Sequence, residues 1–310
     1  MSGAHTPPVQ ERYERALSAL TARLEDDPHV LAAILFGSLS YDVVWERSDI
    51  DLMLVVGETR RSRPVADLAL VEGDVNIHAF LQTRDELKKM LDGSRQGSFL
   101  HAALSRGRLL FSRDDTLREL LADLGQVGAR DLKVQLFHAA ASVIPCLDKA
   151  EKFLVVKRDP AYASVWLNWA TSGLARIEVL RGGAIPGREV IQQALALNPE
   201  FFDRVYTRFL DRKKTDKNVR AVLGAVDGYL LAHVDHVFGP LLDHLDDAGT
   251  PRSATELGTW FQNEMGIEGV VTACEWLAAK GIVDKGSAPV RLTRRSRAAV
   301  DELAFFYTRD

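Results

Sequence analysis

Two apolar runs, "HVLAAILFG" (29–37) and "DIDLMLVVG" (49–57), lie close together in this chain, and the second opens on two aspartates separated by one residue. Both runs have the length and composition of β-strands and both stop at a glycine. A strand sends alternate side chains to one face, so Asp49 and Asp51 project side by side, about 7 Å apart along the chain. Ile50, Leu52, Leu54 and Val56 then share the opposite face. Two carboxylates that close repel each other unless a cation lies between them. A chain that builds such a pair onto an apolar strand has to supply that cation or admit it from solution.

The surroundings are read by the same periodicities. Tyr13, Leu17, Leu20 and Leu24 form the stripe of an amphipathic helix over 10–25. A third strand is expected at "GDVNIHAFL" (73–81), a capped helix at 83–91 and a short strand at 108–113, which makes 1–115 an α/β unit. Long helical patterns follow at 116–124, 130–156, 160–181, 187–196, 199–211 and 216–238, a helical domain over 116–247. Pro145 is expected to kink or divide the second of these helices, because proline lacks a backbone donor. After the turn-rich "AGTPRS" (248–253) comes a small unit, 248–310. Ser253 and Glu256 form a capping box for a helix at 254–264. A helix at 267–280, ending at Gly281, two short strands around "GIVDKGSAPVRL" and a last helix near 295–306 complete it.

Paired carboxylates on one strand face suit magnesium, which takes hard oxygen ligands and bridges to substrate phosphates. Gly37 lets backbone approach a phosphate, and Ser38 offers a hydroxyl and an N–H. "LFGSLSYDVVWERSDIDLMLVV" resembles the signature of the nucleotidyltransferase superfamily with the DNA polymerase beta-like fold: Gly-Ser, about ten residues, then Asp-x-Asp among apolar residues. The order of an α/β unit and then helices is similar to the kanamycin and lincosamide nucleotidyltransferases. The resemblance covers residues 29–112, and the helical domain in outline. It implies a mixed sheet in the first domain, two Mg2+ ions held by Asp49 and Asp51, an NTP as substrate and a hydroxyl-bearing small molecule as acceptor, with pyrophosphate released. Gly37 and Ser38, with Arg106 and Arg108, are the candidate phosphate contacts.

The family carries a third carboxylate on the neighbouring strand, as metal ligand or general base. Here Asn76 stands in its place. Asparagine can coordinate through its carbonyl but cannot accept a proton. Asp74, His78 and Glu178 of the helical domain are alternative sources of the missing group, and loss of catalysis in favour of nucleotide sensing is the rival reading.

Trp166 and Trp169, three apart on a helix, read as core or as a stacking platform for a base or acceptor. The Lys/Arg-rich "RFLDRKKTDKNVR" (208–220) reads as a helix end and loop, or as a surface that steers a triphosphate or RNA. The tail 248–310 resembles a winged helix, yet acidic and basic residues balance over 251–310, eight of each. Duplex DNA is therefore not an expected partner, and a packing or homodimerisation role is preferred. With a net charge of −4 the chain has no global bias towards nucleic acid or an anionic membrane. Two distant cysteines, no signal-type N-terminus and no apolar run of membrane-spanning length make a soluble, cytoplasmic protein the expectation.

Overall fold

A computed structural model describes residues 8–37, 39, 45–57, 67–94, 104, 107–122, 129–293, 295, 297–298 and 300–309. The chain divides into two compact units, Met1–Val127 and Gly128–Asp310.

Unit 1 contains helix α1 (Val9–Asp26), strands β1 (Val30–Phe36), β2 (Ile50–Val56), β3 (Asp67–Glu72) and β4 (Val75–Thr83), helix α2 (Arg84–Ser94), strand β5 (Arg108–Ser112) and helix α3 (Asp115–Ala122). The strands form one five-stranded sheet in the order β3-β4-β2-β1-β5. Strands β2 and β4 pair in parallel and the other pairs are antiparallel, so the sheet is mixed. β1 and β2 are nearly continuous apolar runs because both of their faces are covered. On one face Tyr13, Leu17 and Leu20 of α1 pack against Leu35, Leu52, Ile77 and Ala79. On the other, Leu87 of α2 and Leu117 of α3 pack against Ile34, Phe36, Met53 and Val55. Burying each of these leucines fully is worth about 1.5–3 kcal/mol.

Strand β3 is not expected from the sequence, since it is a short edge strand with alternating half-buried residues. It joins β4 through a two-residue turn, Glu72 pairing with Val75. Gly73 stands in that turn at φ +61°, the kind of backbone that two-residue hairpins place on glycine. Asp74 therefore lies in the turn, ahead of β4.

Unit 2 is built on the long antiparallel-patterned helices α4 (Ala129–Val155) and α5 (Pro160–Arg181), followed by α6 (Val190–Leu197), a helical stretch over 199–211 with a π turn at Asp203–Thr207, α7 (Asp216–Ala232), α8 (Gly239–Ala248), α9 (Ala254–Met265) and α10 (Val270–Ala279). Helix α4 runs through Pro145 without dividing. Asp159 caps α5, Thr215 caps α7, and the Ser253–Glu256 capping box at α9 is formed from both sides. Strands β6 (Arg252–Ser253), β7 (Asp284–Val290) and β8 (Val300–Phe306) make a three-stranded sheet in the order β6-β8-β7. The helix expected near 295–306 is thus corrected to a strand. "VDELAFF" carries helix-forming residues, but its backbone bonds are taken by both neighbouring strands and Phe305 is buried in the main core, so tertiary pairing overrides local preference.

Cys146 and Cys274 are free thiols. Burial pushes the Cys274 thiol up to about 12. Among the described residues no helix is long and apolar enough to cross a membrane.

Candidate functional site

The site is assembled where β1 ends and β2 begins. Phe36, the last residue of β1, pairs with Asp51 of β2. Gly37 follows at φ +77°, and a Cβ built there would stand 2.2 Å from Oδ2 of Asp51 and 3.0 Å from its Cγ. The Asp51 carboxylate therefore lies directly against the Gly37 Cα, in space that any other residue would fill. This explains why a glycine twelve residues upstream accompanies the aspartates: it clears room for one of them.

Ile50 is fully buried between the two acids and anchors the start of β2, while Asp49 is exposed and Asp51 is partly covered. The parallel register sets Ile50 beside Ile77 and Asp51 beside His78. Alternation along β4 sends Val75, Ile77 and Ala79 into the core under α1, so Asn76, His78 and Phe80 take the other face. Nδ1 of His78 lies 3.9 Å from Oδ1 of Asp51, beyond hydrogen-bond range but close enough to pair when the imidazole is protonated. The His78 ring rests on Phe80 with centroids 4.2 Å apart. An open groove of about 400 Å3 runs along this face, bounded by Asp49, Asn76, His78 and residues 69–71 of β3.

Asp74 is paired with Nη1 of Arg12 at 3.2 Å, which ties it to α1. Arg108 pairs across the ladder with Leu35, whose side chain is in the core under α1, and it meets Glu14 of α1 at 3.4 Å. It thus stands on the α1 side of the sheet, the face opposite Asp51. Ser38 and Arg106 lie outside the described residues. Glu178 belongs to unit 2, where it accepts a hydrogen bond of 2.6 Å from the Tyr229 hydroxyl and meets Arg181 at 3.4 Å.

Of the two tryptophans, Trp166 packs against the unit 2 core, whereas Trp169 is 59% exposed and sits edge-on to it. Three of the six cations in the basic run are engaged within their own helical segments. Lys214 donates to the carbonyls of Leu210 and Arg212 at a helix end, Arg208 pairs with Asp203 and Arg220 with Asp216.

Sequence reasoning missed the role of Arg12 and Tyr13 on α1. Tyr13 was legible only as part of an apolar stripe, yet its hydroxyl donates to the Ser48 carbonyl, immediately before Asp49. Burial is the main cause that pushes the Tyr13 phenol up.

Among the described residues no three His, Cys, Asp or Glu side chains converge as a metal cluster. Asp49 and Asp51 nevertheless suit magnesium, which commonly uses one or two carboxylates and fills its remaining positions with water and substrate phosphates.

Residues 19–116 match the family model for "Polymerase beta, Nucleotidyltransferase". No curated protein matches the chain. A solved structure, a nucleotidyltransferase-like protein from Exiguobacterium sibiricum 255-15, is similar in fold with a TM-score of 0.59 at 17% identity, over 95% of this chain and 99% of the other. The Gly37–Asp51 contact, the mixed sheet and the family match agree, and residues 19–116 form a domain of the polymerase beta-like nucleotidyltransferase superfamily.

Proposed function

We propose that the protein is a magnesium-dependent nucleotidyltransferase that moves a nucleoside monophosphate from an NTP to a hydroxyl acceptor. The observation that carries this reading is the seating of the Asp51 carboxylate against the Gly37 backbone, with Asp49, two residues earlier, lining an open groove. Asp49 and Asp51 would hold magnesium, which when bound neutralises charge on the phosphates and the leaving group. The acceptor oxygen bonds to the α-phosphorus, the bond from that phosphorus to the bridging oxygen breaks, and pyrophosphate leaves. The proton of the hydroxyl needs a base. Asn76 has no basic site, and of the three alternatives His78 suits that role best, because its imidazole faces Asp51, whereas Asp74 is tied to Arg12 and Glu178 is engaged by Tyr229 and Arg181. Asn76 lines the groove and is suited to hydrogen-bond the sugar or the acceptor.

A second reading, a nucleotide sensor on the same scaffold, is favoured by Asn76 in the third carboxylate's place. The two separate in one experiment: labelled NTPs and a panel of hydroxyl acceptors, with pyrophosphate release as readout. Release that disappears in Asp49→Ala and Asp51→Ala supports the transferase. Tight metal-dependent NTP binding without release under any condition supports the sensor.

We also read the chain as three parts, with the last, 248–310, winged-helix-like; the first runs past residue 115 to Val127, since α3 packs on its sheet through Leu117. The succession α8, β6, α9, α10, β7, β8 and the strand order β6-β8-β7 support that reading. The even charge balance of this part supports packing or homodimerisation over duplex binding. Free thiols and the lack of a membrane-length helix among the described residues support a cytoplasmic location.

A further inference from the structure

Asp49 precedes the first residue of β2, so the sheet ladder holds the chain on only one side of it. What holds the other side is α1. The Tyr13 ring is 2% exposed, packed in the same core cluster as Leu17, Leu52 and Val75, and its hydroxyl donates to the Ser48 carbonyl. Ser48 in turn closes a tight turn on Trp45: its amide donates to the Trp45 carbonyl at 2.9 Å, and its Oγ accepts from the Trp45 amide at 3.2 Å. The neighbouring residue, Arg12, pairs with Asp74 in the β3–β4 turn at 3.2 Å. Two consecutive residues of α1 thus hold the segment that leads into Asp49 and the turn that leads into Asn76 and His78.

We propose that Tyr13 is a positioning residue, whose hydroxyl fixes the Ser48–Asp49 peptide and through it aims the Asp49 carboxylate into the groove. This inference rests on the nucleotidyl-transfer reading, because it takes Asp49 as a metal ligand. Tyr13 touches no substrate in this account. Its contribution is to remove a peptide rotation that would otherwise swing the carboxylate, and a displacement of about 1 Å at such a site is enough to matter greatly.

The test uses the full chain and a probe that needs no knowledge of base or acceptor: Mn2+ with inorganic pyrophosphate, the bound metal followed by electron paramagnetic resonance. Tyr13→Phe removes one oxygen and keeps the ring. Tyr13→Met, the second variant, removes the hydroxyl while a flexible side chain fills the space. Leu17→Ala is the structural control, on the same helix and in the same cluster but with no polar side-chain group to bond the Ser48 carbonyl. Thermal midpoints are recorded for all. The expected result is Mn2+–pyrophosphate affinity at least fivefold weaker in both Tyr13 variants, and within twofold of wild type in Leu17→Ala despite its lower midpoint. Affinity within twofold of wild type in either folded Tyr13 variant overturns the proposal, as does equal weakening in Leu17→Ala. Failure of the wild type to bind Mn2+–pyrophosphate overturns the nucleotidyl-transfer reading itself, and with it this inference.

Discussion

Gly37→Ala tests the link between the two halves of the motif. A Cβ at this position would stand 2.2 Å from Oδ2 of Asp51, against an ordinary contact of 3.4 Å or more, so the carboxylate would have to retreat by more than about 1 Å. The backbone at φ +77° adds its own penalty for an L side chain, about 1–2 kcal/mol. Gly73→Ala separates the two effects. Gly73 has φ +61° and nothing within 4 Å of its built Cβ, so this variant carries the backbone penalty without the clash. In a unit of this size about 1 kcal/mol lowers the thermal midpoint by about 4 °C, and both variants should show a drop of that order. Misplacing a metal-binding carboxylate by about 1 Å should cost about a hundredfold in kcat/KM for pyrophosphate release, and Gly37→Ala alone should show it. Calorimetry and the pyrophosphate assay at saturating magnesium measure the two quantities on the same samples. Turnover of Gly37→Ala within about threefold of Gly73→Ala would refute the argument that the glycine makes room for Asp51.

Asp49→Ala and Asp51→Ala should each abolish metal-dependent NTP binding, read by titration calorimetry, while the thermal midpoint stays near wild type because neither acid is part of the core. Ser253→Ala removes the side-chain half of the capping box and should cost about 1 kcal/mol in unit 2, seen as a lower urea midpoint. His244 lies tilted against Trp260 with ring centroids 4.1 Å apart, and burial, followed by Arg252, holds its imidazole below the usual 6.5. Its folded pKa is depressed, so its contribution is complete above pH 6.5 and is lost as pH falls through the folded value, where the unfolded chain binds the extra proton. Urea midpoints of unit 2 should therefore decline below pH 6.5, a decline shared by His138 and His233, which are shifted the same way, and His244→Gln should lessen it.

How much could be read beforehand depends on the range of the interactions involved. The apolar runs of β1 and β2, the alternation along β4, the helix stripe with Tyr13 and Leu17 and the capping box at Ser253 are each set by residues a few positions apart. They were legible in the order of the amino acids. The Gly-Ser and Asp-x-Asp spacing marked the place of the site for the same reason. The sequence by itself thus determined β1, β2, β4 and the helix stripe of α1, and marked the two acids at the start of β2, because backbone geometry assigns faces locally. Only the tertiary structure decided which side chains meet. It seated Asp51 on Gly37, brought His78 to Asp51 and Tyr13 to Ser48, drew Asp74 to Arg12, carried Arg108 to the opposite face and turned 300–306 into a strand. Each of these depends on pairing and packing between distant segments, whose free energy no local pattern contains.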